Sequence, residues 1–102
     1  MSNPTMTELL TNYVGDTTKK LVDSAAEVEV NVVVSTKTVI IQIKTAKSDC
    51  GKVIGKRGRT VEAIKILVLA IKNTHFPHDN RKVSVEIIED EESTFSYNNQ
   101  EE

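Results

Sequence analysis

Residues 51–65 read GKVIGKRGRTVEAIK and set two glycines three residues apart, Gly55 and Gly58, around the adjacent cations Lys56 and Arg57. Apolar residues on both sides fall at helical spacing, although a glycine inside a helix costs roughly 1 kcal/mol relative to alanine. A turn between two helices explains the pair. Glycine permits the positive φ values of a four-residue reversal and, lacking Cβ, lets another backbone come close. A helix N-terminus follows at once, with unpaired N–H groups and the positive end of its dipole. Lys52, Lys56, Arg57 and Arg59 add four cations around this turn. Such a pattern suits a negatively charged, extended ligand, and a nucleic-acid sugar-phosphate backbone fits. Val53, Ile54 and the strand that precedes them are expected to form an aliphatic groove for bases, whose edges backbone groups and polar side chains can read.

The chain has 102 residues and a formal net charge of −2, which by itself argues against a nucleic-acid binder. That average hides a segregation along the sequence. Between residues 44 and 72 stand Lys44, Lys47, Lys52, Lys56, Arg57, Arg59, Lys65 and Lys72 against only Asp49 and Glu62, a local charge of +6. The acids Glu86, Glu89, Asp90, Glu91, Glu92, Glu101 and Glu102 gather towards the C-terminus, and five more carboxylates precede residue 30. One central segment is therefore expected to form a cationic surface. Aromatics make up 4% of the chain and tryptophan is absent, so base stacking on aromatic rings is not the expected mode of action.

The elements that must position the turn can be read from periodicity. Thr5 to Glu8 has the form of a capping box, and Met6, Leu9, Leu10, Tyr13, Val14, Thr17 and Leu21 predict an amphipathic helix over 6–23, weakened by Gly15. Val28, Val30, Val32 and Val34 alternate with Glu27, Glu29 and Asn31, and after Ser35 and Thr36 the pattern resumes with Val39, Ile41 and Ile43 against Gln42 and Lys44. Two half-buried strands in an antiparallel hairpin follow from that period of two. Ser48 or Asp49 can cap a short helix to Ile54. A longer helix runs from Arg59 or Thr60 to about Asn73, its wide apolar face (Val61, Ala63, Ile64, Leu67, Val68, Ala70, Ile71) implying that it is largely buried. After a break over 73–80, Val83, Val85 and Ile87 mark a third strand. The expected architecture is an α+β two-layer domain over 5–90, in the order α-β-β-α-α-β, a three-stranded sheet with helices on one face. The remainder, 91–102, reads as an acidic, disordered tail.

In this order the motif GKVIGKRGRTVEAI resembles the core of the KH domain, Ile-Gly-x-x-Gly between two helices, in its type II arrangement. The likeness is greatest to the small bacterial single-domain KH proteins of the KhpA/YlqC group, through Val28-Glu29-Val30, residues 51–59 and residues 82–87. A GxxG alone is a weak signal; with helix and strand in the right order on both sides it is specific. The resemblance implies RNA binding, with the loop clamping about four nucleotides of single strand. Gly55, Lys56, Arg57 and Gly58 would hold phosphates, and Gly51, Lys52, Val53, Ile54 and Arg59 would line the groove. It further implies a post-transcriptional regulator or RNA chaperone, acting as a homodimer or as a heterodimer with a larger KH-containing RNA-binding protein. The chain departs from the usual pattern in its short Ser35-Thr36 connection, its longer break before the last strand and its acidic tail.

Two further readings belong to different classes: a protein dimerisation or docking module of KH fold, and a single-stranded DNA binder. The intact glycines and the two cations between them argue against a degenerate docking module. His75 and His78 have no cysteine or carboxylate at ligand spacing, so no metal and no cofactor is expected. Cys50 reads as packing, and neither histidine has a nucleophile partner in a recognisable motif, so no enzyme is expected. The N-terminus MSNPTMTELL lacks the basic and apolar regions of a signal peptide, which makes cytoplasmic location the expectation, without a membrane partner.

Overall fold

The computed structural model describes residues 5–88 and the backbone of 94–98. Its elements are α1 (Met6–Leu21), β1 (Glu29–Val34), β2 (Thr38–Lys44), α2 (Cys50–Ile54), α3 (Arg59–His75), β3 (Lys82–Ile88) and β4 (Thr94–Asn98). The expected α+β two-layer order α-β-β-α-α-β stands. Antiparallel β1 and β2 pair in register Val30 to Ile43 and Val34 to Val39. Parallel β2 and β3 pair Val39 with Val83, Ile41 with Val85 and Ile43 with Ile87.

Alternation explains both faces of that sheet. Val39, Ile41, Ile43, Val83, Val85 and Ile87 are all buried and meet Leu10 and Val14 of α1, Val53 of α2, and Val61, Ile64 and Val68 of α3. On the opposite face Asn31 Nδ2 donates to Gln42 Oε1 at 3.0 Å and Gln42 Nε2 to Glu86 Oε1 at 3.2 Å, a polar ladder across three strands. No helix among the described residues is long and apolar enough to cross a membrane.

Three expectations are corrected. The sheet has four strands, in the order β1-β2-β3-β4, because Thr94–Asn98, placed by composition in the acidic tail, pairs antiparallel with β3. The segment TFSYN alternates β-formers within an acidic stretch, and β3 would otherwise present a row of unpaired N–H and C=O groups. The rest of the expected tail lies outside the described residues. Secondly, α3 is not buried over its whole apolar arc: Ile66 is 54% and Leu67 50% exposed. A single sheet face can cover only one side of a helix, and that side is taken by Val61, Ile64 and Val68. Thirdly, α1 stops at Leu21, two residues early.

Asp49 explains that stop. Buried at the N-cap position of α2, it gives that helix no side-chain capping bond; its carboxylate accepts the N–H groups of Asp23 at 3.3 Å and Ser24 at 3.0 Å. The two amides just beyond α1 are thus tied to the helix that leads into the glycine turn. At its other end α1 starts as expected, with Thr5 Oγ1 accepting from Glu8 N and Glu8 Oε1 from Thr5 N, both at 3.1 Å.

The bond from Ser24 N–H holds the Asp49 carboxyl below the usual carboxylate range, outweighing burial, which raises it; Asp23 N–H and Lys52 add to the lowering. A carboxyl depressed in the folded state stabilises above its unfolded pKa of about 3.9, and that stability is lost as pH falls through this value to the lowered one. Asp49→Asn is expected to lower the thermal midpoint at neutral pH by several degrees and to flatten the acid limb of the stability profile, measured by circular dichroism melts. An acid limb identical to wild type would show that Asp49 does not anchor α2.

Candidate nucleic-acid interface

Between Ile54 and Arg59 the chain reverses in four residues. Gly55 has φ 78 and ψ 172, a combination open essentially to glycine alone. Arg57 at φ 58, ψ 25 and Gly58 at φ 74, ψ 14 are both left-handed. Gly58 N–H closes the turn on Gly55 O at 3.1 Å, and Gly55 N–H ends α2 on Gly51 O at 2.8 Å.

The two glycines are needed for different reasons. A Cβ on Gly55 would stand 2.8 Å from the Thr60 backbone nitrogen and 2.6 Å from its Cβ, and would also strike Thr60 Oγ1. A Cβ on Gly58 would meet nothing within 4 Å, so its requirement is φ alone. Close approach of Gly55 to Thr60 presses the loop onto the first turn of α3, whose N–H groups receive no side-chain cap from Gly58 and whose first, that of Arg59, donates back to Lys56 O. Sequence reasoning did not single out Thr60; no local pattern marks a residue whose role is to be touched.

Lys56, Arg57 and Arg59 are exposed and together line an open recess of about 400 Å³ at the loop. Ile54 is half-buried and Gly51 exposed on the adjoining surface. Two expected groove residues sit differently. Val53 is fully buried in the core and supports the surface from beneath, because a short helix lying on a sheet must turn one residue inward. Lys52 directs its ammonium to Asp23 at 3.1 Å and Asp49 at 3.5 Å, and the Asp23 hydrogen bond pushes its pKa up.

The cationic surface is therefore smaller than the local charge of +6 implies. Lys65 and Lys72 are buried, and Lys72 donates to the Asp79 carbonyl at 2.8 Å while pairing with its carboxylate at 3.4 Å. With Lys52 ion-paired as well, Lys44, Lys47, Lys56, Arg57 and Arg59 remain as its exposed cations without a carboxylate partner among the described residues. Cys50 is buried, its thiol within 3.4 Å of Thr45 Oγ1 and donating to Ala46 O at 3.8 Å, in keeping with packing.

Comparison with known proteins matches the family model described as KhpA/KhpB, KH domain, to residues 11–87. A protein of Chlamydia trachomatis named RNA-binding protein KhpA is 44% identical over 72 residues, 71% of this chain and 87% of the relative. The proteins of the same name from Clostridium perfringens and Borreliella burgdorferi are 44% and 39% identical, covering 69% and 70% of this chain and 88% and 82% of their own. No solved structure matches the chain.

Gly55→Ala and Gly58→Ala separate close approach from φ. The second is expected to cost about 1–2 kcal/mol, the price of a left-handed alanine, and the first clearly more, in urea unfolding. Equal costs would mean that contact with Thr60 does not constrain the loop.

Proposed function

The chain belongs to the KhpA/KhpB KH-domain family, and from that membership and the geometry of residues 55–58 we propose that it binds short single-stranded RNA, about four nucleotides, in the cytoplasm. Gly55, Lys56, Arg57 and Gly58 hold the phosphates: the glycines keep the backbone close to the strand, while the two side chains between them and the first turn of α3 supply positive charge. Gly51, Ile54 and Arg59 line the groove, Val53 supports it, and Lys52 fixes its outer edge through Asp23 and Asp49. The function needs no catalytic group and suits a post-transcriptional regulator or RNA chaperone. The single observation that carries the reading is the turn itself, in which Arg57 is held left-handed at the tip of a glycine-framed loop with three cations around one recess.

Lys56→Asp/Arg57→Asp is expected to abolish binding of a fluorescent single-stranded RNA pool without changing fold or oligomeric state. Wild type should show a log-log salt slope near −0.7 per phosphate contacted. Unchanged affinity in the variant would sink the reading, and competition between matched RNA and DNA oligomers decides whether the sugar is recognised through its 2′-OH.

One groove with few contacts binds weakly, and the exposed stripe of α3 offers the remedy. Ala63, Ile66, Leu67 and Ala70 recur at helical spacing on one exposed face. Pairing of two chains through this stripe, or of this chain with a larger KH-containing protein, would raise RNA affinity through effective concentration. Ile66→Ser/Leu67→Ser is expected to shift the protein to monomer in sedimentation analysis at little cost to monomer stability. An unchanged dissociation constant would remove the stripe from the interface.

A further inference from the structure

The second concentration of positive charge lies at the other end of α3. Thr36, Lys37, Thr38, His78, Asp79, Asn80, Arg81 and Lys82 line an open recess of about 680 Å³ where β2 and β3 begin. Lys82 N–H donates to Lys37 O at 3.0 Å, and Thr38 is the register partner of Lys82, so the parallel start of the two strands brings the backbones of both lysines to one rim of the recess. Neither has a carboxylate partner among the described residues.

Asp79, the one carboxylate lining this recess, does not serve that purpose. Its oxygens take Arg81 N–H at 2.9 Å, Lys72 Nζ at 3.4 Å and Arg81 Nη1 at 3.6 Å. The Arg81 N–H bond in the first place, and Lys72 after it, hold its carboxyl below the usual range. Buried Lys72 thus balances Asp79 and also faces the negative end of the α3 dipole. With Arg81 paired to Asp79, Lys37 and Lys82 are left as the cations of the recess without a carboxylate partner among the described residues, with hydroxyls of Thr36 and Thr38 and the Asn80 amide around them. With two unpaired lysines on its rim and its one carboxylate already engaged, the recess suits an anionic occupant.

We propose that this recess is a second phosphate-binding subsite, which takes the backbone of the RNA strand beyond the nucleotides held at residues 55–58. The inference rests on the RNA-binding function proposed above. The 17 residues of α3 separate the two places by about 25 Å, more than a tetranucleotide clamped at the first loop is expected to bridge. The subsite therefore makes affinity depend on RNA length, and it presents two cationic ends to one strand.

Lys37→Gln/Lys82→Gln removes the charge while keeping side-chain length. With a uridine tetranucleotide its affinity is expected to equal wild type. With an oligouridylate of about twelve nucleotides it falls roughly tenfold at low salt, and the log-log salt slope shrinks by about 1.4, the contribution of two phosphates. A twelve-nucleotide affinity and slope unchanged from wild type overturn the proposal while the first loop still binds. Wild type that binds neither length overturns the RNA reading itself, and the subsite with it. Amide shifts at residues 37–38 and 80–82 that saturate with inorganic phosphate, while both oligomers bind the variant as they bind wild type, would assign the recess to a small free anion instead.

Discussion

Gly55 is held in a backbone conformation open only to glycine, with Thr60 against the place where a side chain would begin. Everything near the proposed RNA surface follows from that contact. It joins α2 to α3 within four residues, and puts Lys56 and Arg57 at the exposed tip with Arg59 beside them. Arg57 itself is left-handed, a conformation that costs about 1 kcal/mol or more for a residue with a Cβ. Strain of this kind persists where the surroundings over-determine it, here two closed turns and a helix packed on the core.

The core supplies the rigidity. β2 and β3 lie parallel with three pairs of buried aliphatic residues facing one way, and α3 is packed onto them by Val61, Ile64 and Val68. Because β2 leads into α2 and α3 leads back to β3, the glycine loop sits within a crossover whose two ends are fixed in the same sheet. Asp49 adds a polar tie from α2 to the end of α1, so both helices that flank the loop are held by elements distant in sequence.

Charge is divided by the same packing. Of the cations between residues 44 and 72, the buried and ion-paired ones do structural work, and the exposed ones near the loop remain available to a ligand. A protein with a net negative charge can thereby present a local positive surface, since screening over about 8–10 Å in physiological salt limits the reach of the remote carboxylates.

Period and composition alone were enough for β1, β2 and β3, the capping box of α1, the two-helix turn and the glycine pair, because each is a local pattern repeated over a few residues. The KH resemblance followed from the same short motif in its element order. What only the tertiary structure decided depends on neighbours far away in the chain. Val53 and Ile54 are equally apolar in sequence, yet one is buried and the other reaches the surface, according to which side of α2 meets the sheet. Lys52 and Lys56 are equally basic, yet Asp23, 29 residues before Lys52, pairs with the first. Residues 94–98 look polar by composition and become a strand because β3 offers an edge. Periodicity records which residues can share a face; only the packed fold settles which face is covered, and by what.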